Sequence, residues 1–327
     1  MAPSSGNAVI VTVTLNAAMD RTLLVPSFQL GQRHRASRAF ASAGGKGINV
    51  ARALRHLGVP VVCTGLLGGR NGAQIVDDLT DEGILNDFVR IEGESRTSVA
   101  MLDPLSEQYT EINEWGPEVQ PEELDALREK LAYLTQGAEF VVFAGSLPRG
   151  VPADFYADSI RELNRRQILT VLDAEGEPLR LGTQAEPHLV TPNVGEAESL
   201  VGHEFNDDDD LAGGLDEIAE LGARNVLITL ENGCYALVRD DRESHRVRGS
   251  TPRLDAVSTI GAGDTLLAGF LAGRLEGRSV EETVRLAVSA GAASVLEAGP
   301  GRFDPEEATR VAGLVSVEHL APVTQDA

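Results

Sequence analysis

A glycine-rich turn at residues 258–265, Ser-Thr-Ile-Gly-Ala-Gly-Asp-Thr, is the segment best suited to chemistry. The residues that follow it predict a helix over 265–275. N–H groups at a helix start lack helical partners, and the helix dipole adds positive potential there, so this turn could bind a phosphate or a developing oxyanion. Asp264 lies in the turn and could take a proton from a bound hydroxyl. The alternative interpretation is that Asp264 only caps the helix.

A second glycine-rich turn, Gly44-Gly45-Lys46-Gly47, also precedes a helical pattern. Lys46 and Asn49 could reach a polyol from this turn. The turn is not a Walker A loop, because the spacing G-x-x-x-x-G-K-[ST] is absent. Taken alone, such a turn is more often a packing feature than a binding site.

Asn193 and Glu196 stand three residues apart where a predicted strand meets a helix. Their side chains could face the same way and hold the hydration shell of Mg²⁺, an ion that keeps several waters. The same spacing fits a capping box, with Asn193 as the cap and Glu196 at the third helical position. Both interpretations can hold together, because a capping glutamate still exposes its carboxylate.

Three arginines, Arg33, Arg35 and Arg96, stand out in an acidic chain. Together they could form a pocket for a phosphate already present on a substrate, because guanidinium groups pair with phosphate in a two-pronged manner. Taken singly, each is more typical of a surface ion pair.

The elements that must position these residues alternate between strand and helix. Strands are predicted at 9–15, 21–25, 61–67, 98–103, 109–113, 140–144, 169–173, 189–191 and 226–229. Helices are predicted at 48–57, 73–82, 122–134, 152–166, 265–275 and 280–296. Parallel strands need crossovers, so this alternation predicts a mostly parallel sheet covered by helices on both faces. We expect a single domain over 1–327, with a small β lid formed by segments at about 11–37 and 96–114.

Charge and cysteine content exclude several functions. The chain has 28 Lys plus Arg against 50 Asp plus Glu, a net charge of −22, which disfavours binding to nucleic acid or anionic membranes. We interpret the excess as an adaptation to a salt-rich cytoplasm, although the run at 207–210 fits an ordinary solvated face. The 2 cysteines lack metal-site spacing. We see no signal peptide or membrane-spanning run, and expect a cytoplasmic protein.

In this order, the segments resemble the ribokinase-like carbohydrate kinases of the phosphofructokinase-B branch. The matching residues are Gly44-Gly45-Lys46-Gly47-Ile48-Asn49, Ser146-Leu147-Pro148, Asn193-x-x-Glu196 and the turn that contains Asp264. The resemblance implies an α/β three-layer sandwich with a mostly parallel central sheet and a small β-sheet lid over the sugar. It also implies ATP and Mg²⁺, with transfer of the γ-phosphoryl group to a hydroxyl.

The resemblance also implies roles for individual residues. Asp264 would be the general base, and Gly261, Ala262 and Gly263 would form the anion hole. Asn193 and Glu196 would organise Mg²⁺ through water, and Thr229 and Gly233 would contact the nucleotide. The substrate-binding set would be Asp20, Arg33, Arg35, Gly44, Gly45, Lys46, Asn49, Arg96 and Ser146.

The opening segment at 14–22 resembles the 1-phosphofructokinase and tagatose-6-phosphate kinase group, which uses basic residues to hold a sugar phosphate. The resemblance therefore favours conversion of fructose 1-phosphate to fructose 1,6-bisphosphate. Alternatives of the same chemistry are kinases of tagatose 6-phosphate, fructose 6-phosphate, a neutral sugar or a nucleoside. The alternative of another class is a sugar-binding regulator without catalytic activity.

One departure from the family pattern concerns the nucleotide. The group commonly carries a lysine where this chain has Thr191. Contacts to the nucleotide phosphates would then be weaker or supplied elsewhere, and K⁺ is a candidate additional cofactor. A homodimer formed through the lids is an assembly that the resemblance allows.

Overall fold

Short buried strands alternate with longer helices along most of the chain. The computed structural model describes residues 8–106, 108–240, 243–297 and 299–321. The first strand, with the sequence VIVTVT, is typical: its residues are β-branched, and nearly all are buried, which suits a strand covered on both faces.

Within the described residues, the strands are β1 (Val9–Thr14), β2 (Ala18–Leu24), β3 (Arg38–Gly44), β4 (Val61–Gly68), β5 (Leu85–Asn86), β6 (Val89–Ile91), β7 (Arg96–Asp103), β8 (Gln108–Asn113), β9 (Ala138–Ala144), β10 (Leu169–Asp173), β11 (Leu189–Val190), β12 (Asn225–Leu230), β13 (Gly233–Arg239), β14 (Ser244–Ser250) and β15 (Ser316–His319). The helices are α1 (Lys46–His56), α2 (Gly69–Asp81), α3 (Pro121–Leu134), α4 (Phe155–Arg165), α5 (Gly176–Thr183), α6 (Val194–Val201), α7 (Asp208–Glu220), α8 (Ala262–Leu275), α9 (Val280–Ser294) and α10 (Pro305–Ala312).

The main sheet has the strand order β15-β14-β13-β12-β11-β10-β9-β1-β4-β5, and β6 also pairs with β4. All pairings from β12 through β1 to β5 are parallel. The strands β13, β14 and β15 extend the sheet in antiparallel fashion. The predicted mostly parallel sheet is confirmed.

Helices cover both faces of this sheet. On one face Ile10 packs in an apolar cluster with Ile48 of α1 and Leu267 of α8. The next residue, Val11, belongs to the cluster on the other face, with Ile160 of α4. Successive strand residues point to opposite faces, so each face of β1 meets a helical layer, and the predicted three-layer α/β fold is confirmed.

A second, four-stranded sheet has the order β3-β2-β7-β8 and forms the predicted small β-sheet. The first lid segment, predicted at about 11–37, was wrong at both ends. Residues 11–14 belong to β1 in the main sheet, where their apolar side chains are buried. The strand β3 was missed because its residues RAFASAG are mostly exposed and lack a clear alternation. The second segment, about 96–114, contains β7 and β8. Residue 107, between these two strands, lies outside the described residues.

Two points about the whole chain complete the description. The single domain over 1–327 stays a prediction, and its two ends, 1–7 and 322–327, lie outside the described residues. Among the helices that the structure describes, none has the length and apolar character needed to cross a bilayer.

Candidate active site

The carboxyl ends of the parallel strands meet at one edge of the main sheet, where open α/β sheets commonly bind ligands. Polar residues lie at or just after the ends of β1, β9, β10, β11 and β12. They are Asn16, Ser146, Asp173, Thr191 and Thr229. The small sheet lies over this edge, since its residues Asp20 and Ser98 line the same cavity as Thr229.

The glycine-rich turn begins α8 as the sequence predicts. Gly261 caps the helix with φ 76°, a left-handed conformation that favours glycine, and a Cβ there would lie 2.7 Å from Cβ of Pro300. The N–H of Ala262 donates to the Thr259 carbonyl at 3.3 Å. The next N–H groups, of Gly263 and Asp264, have no acceptor within the helix, because the first helical bond is donated by Thr265. These two groups and the helix dipole give the turn its anion-binding character.

Asp264 is buried in the first turn of α8, with 6% of its surface exposed. Its Oδ2 accepts a hydrogen bond of 2.8 Å from Nδ2 of Asn49. The pKa of Asp264 is raised to about 7, mainly by burial and also by Asp173, while Lys46 and the bond from Asn49 oppose the rise. A carboxylate with a pKa near neutral is well matched to general-base catalysis.

Lys46, the first residue of α1, reaches across the cleft to the opposite strands. Its Nζ lies 2.6 Å from Oδ1 of Asp173 and 3.7 Å from Oε1 of Glu196. Burial favours the neutral amine, but the carboxylates of Asp173, Glu196 and Asp264 outweigh that effect and raise the pKa of Lys46. The ammonium group therefore stays charged beside Asp264 and Glu196.

Asn193 and Glu196 form the predicted capping box at the start of α6. The Asn193 side chain accepts from the Glu196 N–H at 2.9 Å, and Glu196 Oε2 accepts from the Asn193 N–H at 2.8 Å. Burial raises the pKa of Glu196, and Lys46 opposes that rise. Thr229 lies alongside Asn193 through a parallel bridge. The cap leaves Oε1 of Glu196 on the Lys46 side of the cleft.

These groups surround a central cavity of about 410 Å³. Its lining is Asp20, Gly45, Lys46, Asn49, Arg96, Ser98, Glu111, Asn113, Asp173, Thr191, Asn193, Glu196, Thr229, Ile260, Gly261, Gly263 and Asp264. The structure thus brings together the predicted base, the anion turn, the metal motif and most of the predicted substrate-binding residues.

The lid closes one end of the central cavity with carboxylates. Burial raises the pKa of Asp20 to about 6, Arg96 opposes the rise and Glu111 adds to it. Glu111 is held by Ser98 Oγ at 3.1 Å and by the Tyr109 hydroxyl at 2.8 Å. Gly44 is required opposite Asp20, because a Cβ at residue 44 would lie 1.9 Å from the Asp20 carboxylate.

A lid-side cavity of about 380 Å³ adjoins the central cavity and shares Gly45, Lys46, Arg96 and Asn113 with it. Asn16 donates to Oγ of Ser146 at 3.1 Å in its wall. The Nε of Arg96 donates to the Asn16 carbonyl at 3.0 Å, and its Nη1 donates to Oδ1 of Asn113 at 3.3 Å. Arg96 and Lys46 give this cavity two cations beside the carboxylates of Glu114 and Glu175 in its lining. The guanidinium group of Arg96 could pair with an anionic ligand.

An outer cavity of about 450 Å³ lies on the other side of the turn. Gly233, Ala262 and Gly263 line it together with an apolar wall. The wall consists of Leu254, Leu266, Val288, Ala292 and Val295. Its mixture of apolar surface and free N–H groups suits a flat heterocycle that carries phosphate.

Arg33 and Arg35 do not join the site. Both are exposed on the polar segment between β2 and β3, and neither lines any of the three cavities. Hydration of a guanidinium group favours such an exposed position unless a buried partner is present. Within one chain, the proposed phosphate pocket is therefore built from Arg96 and Lys46 and not from all three arginines.

Several residues of the site escaped the sequence analysis. Asp173 is the most important, because it contacts Lys46 and raises the pKa of Asp264. Its signal was a carboxylate at the carboxyl end of a predicted parallel strand. Glu111, Ser98 and Asn113 had no local signal, because only the pairing of β7 with β2 and β8 places them over the cavity.

A parallel sheet between helical layers, a small second sheet over its carboxyl edge, and a buried carboxylate beside an anion-binding turn define the class of ribokinase-like sugar kinases. Residues 9–307 match the description "pfkB family carbohydrate kinase", and the chain belongs to this family. The resemblance found in the sequence is confirmed.

Individual relatives agree with this assignment. The chain is 34% identical over 315 residues to a 1-phosphofructokinase of Rhodobacter capsulatus, with 96% of this chain and 99% of that protein covered. It is 30% identical over 303 residues to a tagatose-6-phosphate kinase of Staphylococcus epidermidis, with 91% and 96% covered. The fold is similar to that of Escherichia coli phosphofructokinase-2 in complex with potassium, with a TM-score of 0.86, 28% identity, and 94% and 99% of the two chains covered.

The charge state of Asp264 predicts the pH dependence of activity. The ionised carboxylate is the form that can accept a proton, so activity falls as pH drops below the pKa of about 7. We expect kcat/KM, measured between about pH 5 and pH 9, to fall about tenfold per pH unit on the acid side. Asp20, with a pKa of about 6, titrates in the same cavity and steepens the lowest part of the profile. A profile that stays flat down to pH 5 would contradict this assignment.

Proposed function

We propose that the protein transfers the γ-phosphoryl group of ATP to a hydroxyl of a sugar phosphate, with fructose 1-phosphate as the acceptor and fructose 1,6-bisphosphate as the product. One observation carries the proposal. Asp264, with a pKa near neutral, lies between the anion-binding turn and a cavity that contains Lys46 and Arg96. This arrangement can deprotonate an alcohol and stabilise a transferring phosphate at the same place.

The proposed chemical step uses Asp264 as general base. The acceptor hydroxyl loses its proton to Asp264 while its oxygen forms a bond to the γ-phosphorus of ATP. The bond between that phosphorus and the β–γ bridging oxygen breaks, and ADP leaves. In the turn formed by Gly261, Ala262 and Gly263, the free N–H groups of Gly263 and of the following Asp264 stabilise the negative charge on the transferring group. Lys46 supplies the nearest side-chain cation.

Mg²⁺ would be held near Glu196 and Asn193. Among the described residues, no group of three His, Cys, Asp or Glu side chains could enclose a metal ion. The carboxylate of Glu196 and the amide of Asn193 are therefore the donors for the ion. Such a small set suits Mg²⁺, which keeps most of its waters and needs few protein ligands. Glu196 directs one oxygen to its cap and the other toward the cleft, so it can order such waters. When bound, the ion neutralises charge on the nucleotide phosphates.

The nucleotide would occupy the outer cavity. Its apolar wall accommodates the base, and the first turn of α8 receives the phosphates. Gly233 lies in the wall of this cavity, where the pairing of β13 with β14 requires glycine, because a Cβ there would lie 2.0 Å from the Gly249 carbonyl oxygen. Thr229 lines the central cavity next to Asn193 and would contact the phosphates. Thr191, buried where relatives carry a lysine, leaves Lys46 as the cation nearest to them.

The acceptor would lie under the lid. Its hydroxyl groups would contact Asp20, Gly44, Gly45 and Asn49. Its existing phosphate would be bound in the lid-side cavity by Arg96, Lys46 and Ser146. A neutral sugar or a nucleoside would offer no phosphate to Arg96 and Lys46, although Lys46 already pairs with Asp173 within the protein. A regulator without catalytic activity would not require a buried carboxylate poised to ionise near neutral pH. Tagatose 6-phosphate and fructose 6-phosphate remain the acceptors that a kinetic comparison must separate.

Further features of the proposal concern setting and assembly. K⁺ is a proposed activator, supported by the potassium complex of the similar phosphofructokinase-2. A homodimer through the small sheets is supported by the exposed apolar side chains of Phe40 on β3 and Tyr109 on β8, which lie on the same face of the small sheet. We place the reaction in the cytoplasm, in fructose use and glycolysis, because ATP and sugar phosphates occur there.

Replacement of Asp264 tests the base directly. We expect Asp264→Asn to lower kcat by about 10²- to 10⁴-fold with little change in the KM for ATP, since the amide cannot accept the proton. A coupled ADP-release assay with fructose 1-phosphate gives both constants. Asp216→Asn is the control, because Asp216 pairs with Arg246 and lines none of the three cavities. A rate near that of the wild type for Asp264→Asn would refute the role.

Replacement of Arg96 tests the phosphate pocket. We expect Arg96→Ala to raise the KM for fructose 1-phosphate by roughly 10- to 100-fold, as fits the loss of a charge-assisted bond of about 1.5–3 kcal/mol. Arg33→Ala is the matched control, because Arg33 is exposed and lines none of the three cavities within one chain, and the KM of this variant should change less than about twofold. Equal effects of the two substitutions would contradict the assignment of the lid-side cavity. The same assay with tagatose 6-phosphate and fructose 6-phosphate ranks the acceptors.

The acidic surface predicts dependence on salt. A net charge of −22 repels itself most strongly at low ionic strength, and salt screens this repulsion. We expect the melting temperature and kcat to rise between about 0.1 M and about 1 M KCl. Sucrose in place of KCl controls for general solvent effects. Full stability and turnover without added salt would count against the proposed salt-rich setting.

A further inference from the structure

The largest fully buried side chain of the described protein belongs to a charged residue, Arg52 of α1, which is 2% exposed. It does not line the central cavity. Burying a guanidinium group is costly unless its donors are satisfied. The four partners of Arg52 show what this buried charge holds together.

The guanidinium group of Arg52 joins three parts of the site. Its Nη2 donates to the Ala43 carbonyl at 2.9 Å, near the end of the lid strand β3. Its Nη1 donates to the Pro300 carbonyl at 3.0 Å and lies 3.4 Å from Oδ1 of Asn49. Its Nε donates to Oε2 of Glu82 at 2.6 Å, and Arg302 binds the other oxygen of Glu82 at 2.6 Å.

The contact with Asn49 decides how that amide is oriented. A guanidinium group has only donors, so the amide atom that faces it must be the oxygen. The amide nitrogen of Asn49 then faces Asp264 and donates to Oδ2 at 2.8 Å. That bond ties one oxygen of the base and leaves the other for the acceptor hydroxyl.

The contact with Pro300 supports the anion turn from behind. Pro300 packs against Gly261, where a Cβ would lie only 2.7 Å away. The neighbouring Gly301 approaches Asn49 equally closely, since a Cβ there would lie 2.5 Å from the Asn49 carbonyl oxygen. A shift of this segment would therefore move both the anion turn and Asn49.

We propose that Arg52 is a positioning residue for phosphoryl transfer: through Asn49 it fixes the orientation of Asp264, and it ties the root of the lid to the segment behind the anion turn. This inference rests on the proposed function, because it concerns the same base. The competing view is that Arg52 and Glu82 form an ion pair that only stabilises the core.

A double-mutant cycle separates the two views. Arg52→Lys keeps the charge and the pairing with Glu82, but one ammonium group cannot reproduce the planar fork that contacts Asn49, Ala43 and Pro300. We expect it to lower kcat by roughly 10- to 100-fold, as a misplaced reacting group does, with an unchanged KM for ATP. In an Asn49→Ala background the same substitution should cost clearly less than in the wild type, because the amide through which Arg52 orients Asp264 is gone and only the contacts with Ala43 and Pro300 remain to be lost.

The pH profile gives a second readout. Asp173, Lys46 and Asp20 also influence Asp264, and Arg52→Lys leaves all three in place. The bond from Asn49 favours the ionised base, so its loss moves the acid limb of kcat/KM to higher pH. Arg246→Lys is the matched control, because Arg246 forms a two-pronged ion pair with Asp216 and lines none of the three cavities. It should lower the melting temperature without changing kcat or the profile.

Each outcome decides the question. Additive losses in the cycle would overturn the positioning of Asp264 through Asn49, and a lower melting temperature with unchanged kcat in Arg52→Lys would overturn the whole positioning role and leave an ion pair of the core. If Arg52→Lys fails to fold, Glu82→Gln weakens the ion pair between Arg52 and Glu82 from the side of its more exposed partner. Glu82→Gln should also lower kcat, by a smaller factor than Arg52→Lys. An unchanged kcat there would overturn the role as well. Absence of turnover in the wild type would overturn the proposed function and this inference with it, whereas turnover with additive losses would overturn only the inference.

Discussion

The site depends on one electrostatic balance, that of the buried carboxylate of Asp264 at the positive end of α8. Burial and the neighbouring Asp173 favour the protonated form, whereas Lys46 and the hydrogen bond from Asn49 favour the ionised form. The two tendencies leave a pKa of about 7, so the group can take up a proton and release it again near neutral pH. A fully exposed aspartate would be too weak a base, and one buried without Lys46 would stay protonated.

The five residues that set this balance come from four different elements. Asp264 comes from α8, Asn49 and Lys46 from α1, Asp173 from the end of β10 and Asp20 from the lid. Parallel strands bring their carboxyl ends to one edge, and the helices that begin there direct free N–H groups toward the same cleft. These elements can approach one another closely because glycines without side chains lie at the points of contact, as Gly44 does opposite Asp20 and Gly261 opposite Pro300.

The sequence predicts the parallel sheet, the two helical layers and the glycine turns, because these features are encoded locally in periodicity and in residue type. It does not reveal Glu111, whose place over the cavity comes from the pairing of β8 with β7. For Asp173 it gives only the general signal of a carboxylate at the end of a parallel strand. It also missed the exposed lid strand β3 and the antiparallel strands β13 and β14, because none shows a clear alternation of apolar and polar residues, although Asn232-Gly233 where β13 begins is a hairpin signal. Arg33 and Arg35 were expected at the phosphate on the basis of resemblance, and the structure leaves both in solvent. Whether a segment between strands reaches a site depends on packing, which its own composition does not specify.

A crystal structure of Asp264→Asn with ATP and fructose 1-phosphate would test the central claim most directly, because the slowed variant can hold both substrates together. The account predicts that the C6 hydroxyl lies roughly 3 Å from the side chain of residue 264 and in line with the γ-phosphorus. It also predicts that the γ-phosphate oxygens face the N–H groups of residues 263 and 264. A bound sugar phosphate with its hydroxyl directed away from residue 264, or a nucleotide whose phosphates avoid the turn, would contradict it.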